Sequence, residues 1–246
     1  RHNVAEAFEA LSIAKRRFVR TSFDLIYARP KQTVADWRME LSRALEEGTE
    51  HLSVYQLTIE EGTKFATLYA RGELDMPDEE TQAALYETTQ DMLAAAGLPA
   101  YEISNHARPG AESRHNLTYW RYGDYAGVGP GAHGRRLAQA TERHKKPENF
   151  IAAVERNGHG MKVESDLPAH ERATEAMLMG LRLSEGVDLA RIEARSGLAR
   201  GAFVDDAAVA RLAGLGLMRA EGDRLMVTGE GILLLDSILS EVVKTQ

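Results

Sequence analysis

The 246-residue sequence contains no cysteine, which excludes a disulfide and any thiolate-held zinc or iron–sulfur site formed from these residues alone. It also lacks an apolar run near the ~20 residues of a membrane-spanning helix, and no signal-peptide pattern opens it. We expect a cytoplasmic protein with no membrane span. Nor is there a basic surplus: 30 Lys and Arg stand against 37 Asp and Glu, a net charge of -7. That balance argues against a general polyanion binder, whose phosphate contacts need clustered cations. An apolar share of 43% and a charged share of 27% are those of a globular chain. The length suits one large or two modest domains.

What the chain does have is concentrated between Arg108 and Gly134. His115, Asn116, Tyr119, Trp120, Tyr122, Tyr125 and His133 fall in one short window, with Gly127, Gly129, Gly131 and Gly134 at its end. Tyr and Trp supply broad apolar faces with polar tips. Imidazole ligates metals and haem iron, and glycines let the backbone turn sharply or let a ligand approach it closely. An ordinary aromatic core with a bent strand end would use the same residue types. The pairing of His-Asn-x-x-Tyr-Trp with the glycine run favours a ligand site.

Before this window, helix-like and strand-like patterns alternate. A helical stripe follows Val4, with no initiator Met and no leader ahead of it, so we expect the later part of a longer protein. Ser22–Tyr27 reads as a strand, and Pro30 breaks the turn after it. Val34 to Glu47 reads as a helix with Trp37 and Leu41 inward. His51 to Ile59 reads as a strand whose Ser53, Gln56 and Thr58 line one face or a barrel mouth. Asp78, as N-cap, opens a helix ending at Gly97, and residues 99–104 read as a further strand. This rhythm predicts a parallel α/β sheet or barrel; Asp24 by itself reads as a strand-end hydrogen-bonding residue, although polar residues at strand ends of such folds tend to meet ligands.

After Gly134 the chain reads as mainly helical. Arg135, Arg136, Arg143, Lys145 and Lys146 form a local basic segment: a solvated loop, or a clamp for carboxylates, which Arg binds in bidentate fashion. Helices are expected over 149–157, 168–183, 187–195, 203–215 and 232–243, the last capped by Thr228. A hairpin, residues 217–220 and 224–227, makes this region resemble a winged helix. Asp205 and Asp206 beside Arg211 oppose a nucleic-acid role.

Asp24-Leu-Ile-Tyr with Pro30-Lys-Gln-Thr33, the run His51 to Glu60, Tyr101-Glu-Ile-Ser-Asn105, and Arg114 to Gly134 together resemble the HemW family. These are haem chaperones of the radical S-adenosylmethionine superfamily, paralogous to oxygen-independent coproporphyrinogen III oxidase. The resemblance implies an α/β fold: part of a radical-SAM TIM-like (β/α) barrel over residues 1–145, then a small helical, winged-helix-like domain over 146–246. It places Arg1-His2 well inside the family's barrel, with the cluster-binding part missing. It further implies haem, S-adenosylmethionine and a [4Fe-4S] cluster as the family's cofactors, although the cluster's cysteine ligands are absent here.

By position, Asp24 matches the acid that contacts S-adenosylmethionine, and Thr58 and His133 fall where the backbone approaches that cofactor. His115, Asn116, Tyr119 and Trp120 match the haem-associated motif, with His115 as iron ligand and the two larger rings packing on the porphyrin. Ala28-Arg29 replaces the family's Gly-Leu. The implied function is haem binding and transfer to an acceptor protein. The alternatives are a coproporphyrinogen-oxidase-like radical enzyme, for which these residues offer no cluster ligand, and a winged-helix interaction module. A barrel open at its first strands exposes unpaired edges, which makes marginal stability or self-association, as in a homodimer, the expectation.

Overall fold

The computed structural model describes residues 3–245; Arg1 and His2, which anchor the start of the family match, lie outside them. Packing divides the chain into two compact units, residues 1–113 and 114–246. The 145/146 boundary expected from the sequence concerns the family's barrel and falls inside the second unit.

In the first unit, α1 (Val4–Arg17) precedes β1 (Ser22–Tyr27), α2 (Val34–Leu45) and β2 (His51–Gln56). α3 (Lys64–Ala70), α4 (Glu79–Ala95) and β3 (Asn105–Ala107) follow. β1 and β2 pair in parallel, Ser22 opposite His51 through Tyr27 opposite Gln56. Capping sets the helix starts. Asn3 and Thr33 each form a reciprocal capping box, with Glu6 and Asp36, and Asp78 accepts from the Thr81 amide to open α4.

α2 and α4 pack on one face of this sheet. Phe23, Leu25 and Tyr27 alternate toward the core, where Trp37, Leu41, Leu52, Leu85 and Leu93 are fully buried. Tyr27 stacks on Trp37 with ring centroids 5.3 Å apart, and Trp37 donates to Thr89 Oγ1 at 2.8 Å. The alternate residues of β1, Ser22, Asp24 and Ile26, are exposed. This is the period-two signature of a strand buried on one side.

Two expectations here are corrected. The strand placed at 99–104 is instead β3, and it runs antiparallel to β2, with His51 opposite Ala107 and Ser53 opposite Asn105. The chain folds back on itself, bridging Ala100 to His106. This tight reversal sets β3 antiparallel to the segment that enters it, since a parallel return would take a crossover of a dozen or more residues. β2 also stops at Gln56, so Ser53 is buried inside the strand while Thr58 lies exposed in the loop beyond it. They do not share one lining face.

The second unit opens with α5 (Arg114–Trp120). β4 (His133–Arg136), β5 (Gln139–Arg143), α6 (Pro147–Asn157) and β6 (Met161–Asp166) follow, the strands forming an antiparallel sheet in the order β4-β5-β6. The basic segment read as a loop is therefore largely two paired strands. Leu137 and Ala138, at φ 51° and 62°, make the two-residue turn between them, the twist that suits a hairpin.

α7 (Ala169–Gly180), β7 (Val187–Asp188), α8 (Leu189–Ser196), α9 (Asp206–Gly214), β8 (Met218–Glu221), β9 (Arg224–Val227) and α10 (Leu235–Val242) complete the unit. The hairpin β8–β9 appears where expected, and β7 adds to it in the order β7-β9-β8. Thr228 accepts from the Gly231 amide and shapes the turn ahead of a short 3-10 segment, three residues before α10 begins. No closed barrel forms among the described residues, whose sheets have three strands each. No described helix is long and apolar enough to cross a membrane.

Candidate functional site

α5 is a single short helix, so positions 115 and 119 stack one turn apart on one face. The His115 and Tyr119 rings meet edge to face at 4.7 Å, and Tyr119 meets Tyr125 in the same manner at 4.4 Å. His115 is exposed; Asn116, Tyr119 and Tyr125 are partly buried. The result is an imidazole standing at the edge of a tyrosine pair, open to solvent.

Trp120, five residues after His115, lies elsewhere. It lines a cleft of about 250 Å³ that neither His115 nor Tyr119 lines, together with Gly180, Val187 and several arginines. α5 ends as the chain leaves through Tyr122 at φ 53° and the Gly123 amide donates to the Thr118 carbonyl at 2.7 Å.

The loop after α5 is fixed by a backbone bridge between Tyr125 and Arg135, whose amides donate to each other's carbonyls at 2.7 and 2.9 Å. Gly127 lies so close to this bridge that a Cβ there would stand 2.1 Å from the His133 carbonyl oxygen. The glycine run thus serves chain-on-chain packing and the turn at Gly129 and Gly131, both at positive φ. His133 is exposed at the start of β4, opposite Glu142.

Arg135 is not a free clamp. Its guanidinium lies 4.2 Å from the centroid of the Tyr122 ring and 2.5 Å from Glu175 on α7. Tyr122 donates its hydroxyl to the same Glu175 oxygen at 2.5 Å. Burial, then this acidic partner, pushes the Tyr122 phenol well above its ordinary range.

In the first unit, Asp24 stands on the exposed face of β1, and its carboxylate has no hydrogen-bond or ion-pair partner among the described residues. Ala28 sits at φ 55°, fully buried. The neighbouring Arg29 pairs at 2.5 Å with Glu40 on α2.

A buried polar network lies at the other end of the strands, and the sequence reading did not single it out. His51 Nδ1 is 2.7 Å from Ser22 Oγ, and its Nε2 is 2.9 Å from the Tyr101 hydroxyl. Burial, then Arg20, lowers the His51 pKa. His106, 1% exposed with Nδ1 unpartnered, is driven by burial down to about 4. Burial raises the pKa of the Glu102 carboxyl, which accepts from the Asn105 amide. The polar residues in the strand starting at His51 were the available signal. Among the described residues, no group of three or more His, Asp or Glu is placed to hold a metal ion.

Residues 167–234 match the family described as HemN C-terminal domain. Over 250 residues the chain is 36% identical to the mouse radical S-adenosyl methionine domain-containing protein 1, mitochondrial, spanning 97% of this chain and 56% of that protein. It is 37% identical to heme chaperone HemW of Mycobacterium tuberculosis, spanning 96% and 57%. With Bacillus subtilis heme chaperone HemW the identity is 32%, spanning 95% and 62%. The fold matches that of Escherichia coli coproporphyrinogen III oxidase (HemN), a radical SAM enzyme, with a TM-score of 0.76 and 21% identity over 98% of this chain and 58% of that one. The chain spans a little over half the length of these relatives. In sequence the chain is similar along nearly all of its length to the radical S-adenosyl methionine domain protein and to the HemW chaperones, and its fold is that of HemN.

Proposed function

We propose that this chain is the haem-handling part of a haem chaperone, which binds haem and passes it to an acceptor protein. The observation that carries the reading is the exposed His115 imidazole at the edge of the Tyr119–Tyr125 pair. A ligand site for haem iron needs an accessible imidazole nitrogen with apolar ring area beside it, and both are present. Haem supplies its own four nitrogens, so one protein imidazole suffices as its ligand. Asn116 extends the polar rim of the same helix. The names of the HemW relatives support this reading.

Family position supports a cofactor role for Asp24 in the longer protein, where its unpartnered carboxylate would accept hydrogen bonds from S-adenosylmethionine. Thr58 and His133 would contribute backbone contacts. The [4Fe-4S] cluster would take its ligands from outside residues 1–246, which contain no cysteine. Under this reading the protein works in the cytoplasm, acts on a protein partner and not on nucleic acid, and self-associates. The pairing of Arg200 with Asp206 and of Arg211 with Glu241 supports the second point, since these cations are already engaged by acids.

The test is absorbance titration with haemin. A saturable Soret shift in the wild type that is lost in His115→Ala, while both proteins melt alike, is the expected result. A wild type that gives no saturable shift, or a variant that binds identically, overturns it.

A further inference from the structure

The cleft lined by Trp120 holds more positive charge than its acids neutralise. Six arginines border it: Arg121, Arg135, Arg172, Arg191, Arg195 and Arg224. Three are matched by ion pairs: Arg121 with Glu185 at 2.8 Å, Arg195 with Asp124 at 3.2 Å, and Arg135 with Glu175 at 2.5 Å. Arg172 and Arg224 donate to the backbone carbonyls of Leu167 and Glu185 at 2.6 and 2.9 Å, and these acceptors carry no full charge. The Arg191 side chain is exposed and has no hydrogen-bond or ion-pair partner among the described residues.

The remaining acid on the rim, Asp188, accepts from the Arg191 amide as the N-cap of α8. A surplus persists even with that charge counted. In a chain of net charge -7, such a concentration of guanidinium is a local exception. Its planar fork geometry suits carboxylate or phosphate oxygens.

Size and position narrow the ligand. About 250 Å³ lies below the range of pockets that enclose a whole drug-sized molecule, so the cleft suits the anionic arm of something larger. The cleft is also connected to the ring cluster through Arg135, which lines it. Arg135 bridges Tyr125 through the backbone, and partners across such a bridge direct their side chains to the same face. Tyr125 in turn packs on Tyr119, beside His115.

We propose that this cleft takes the propionate carboxylates of the haem whose iron and ring are held by the His115 cluster, with Arg191 and Arg172 as the anion-binding groups and Trp120 as the apolar wall. The inference rests on the haem reading above. It adds a second point of attachment that fixes which edge of the porphyrin turns toward the Trp120 cleft.

The test compares haemin with its dimethyl ester, in which both carboxylates are capped, on the wild type and on Arg191→Ala, with inorganic phosphate as a separate probe. The expected result is that the ester binds the wild type about tenfold more weakly than haemin, and that Arg191→Ala weakens haemin by a similar factor but leaves the ester unchanged. Arg191 is exposed, so the variant should melt with the wild type. Equal binding of haemin and ester, with no effect of Arg191→Ala, overturns the propionate assignment while the haem reading stands. Phosphate binding that depends on Arg191, alongside equal binding of haemin and ester, also overturns it and assigns the cleft to a phosphate-bearing ligand. No haemin binding by the wild type overturns both.

Discussion

Tyr122 and Arg135 converge on one carboxylate oxygen: the phenol donates to Glu175 at 2.5 Å, and the guanidinium, lying over the phenol's ring, reaches the same atom at 2.5 Å. The loop after α5, strand β4 and helix α7 are therefore tied at a single point. Glu175→Ala should leave a mostly buried guanidinium and a phenol with no acceptor, and cost about 2–3 kcal/mol in urea unfolding. Tyr122→Phe, which keeps the ring under the cation, should cost about 1 kcal/mol. Equal losses for the two would mean that Glu175 acts through the phenol alone.

The hairpin turn at Leu137–Ala138 places two non-glycine residues at positive φ. Asn-Gly is the pair suited to such a turn, and relief of the two dihedrals should outweigh the loss of the largely exposed Leu137 side chain. The double substitution Leu137→Asn, Ala138→Gly should stabilise the chain by about 1 kcal/mol, seen as a rise of about 2–4 °C in Tm. A lower Tm would show that Leu137 packs usefully.

Gly127→Ala should act in the opposite direction. Its methyl would meet the His133 carbonyl, a backbone atom that moves only if the Tyr125–Arg135 bridge opens. A loss of about 1–3 kcal/mol is expected, with weaker haemin binding because Tyr125 shifts from Tyr119. Unchanged stability would mean that the loop relaxes freely.

His106 gives the first unit an acid-sensitive step. Its folded pKa, about 4, lies below the ordinary value of 6.5, so the unfolded chain takes up the proton first. Stability is therefore fully present above pH 6.5 and is lost as pH falls from there toward 4. The neighbouring His51, also lowered, adds in the same direction. Glu102, raised, works the other way: its contribution is held below its ordinary pKa and declines as pH rises through its folded value. Urea midpoints measured between pH 7.5 and 4.5 should fall in the wild type and fall less in His106→Gln; an equal slope in both would remove His106 as the cause.

Much of the frame was legible because local chemistry and tertiary packing agree. Thr33 and Asp78 cap their helices as their residue types suggest, the alternation in Ser22–Tyr27 matches its one-sided burial, and Gly222 turns the β8–β9 hairpin. The strands β4 to β6 escaped notice because they are polar and their turn, Leu-Ala, carries no turn residue. β3 was misplaced because Pro99–Ser104 is apolar enough for a strand, while the fold-back that defines it depends on Ala100 meeting His106. The ring motif could be read as a motif. The arginine cleft could not, since its members lie scattered from Arg121 to Arg224 and each alone looks like a surface cation.

Ala28 carries a consequence for how this strand-end turn can drift in sequence. Its left-handed backbone costs an L-residue about 1 kcal/mol or more. Its methyl, wholly enclosed in the core, returns about 0.8 kcal/mol, and glycine would add the conformational freedom it loses on folding, about 0.5–1 kcal/mol. The two residues come out nearly level, so exchange between them is close to selectively silent. Anything with a branch or a longer chain lacks the space in this enclosed position, which leaves position 28 a two-letter alphabet.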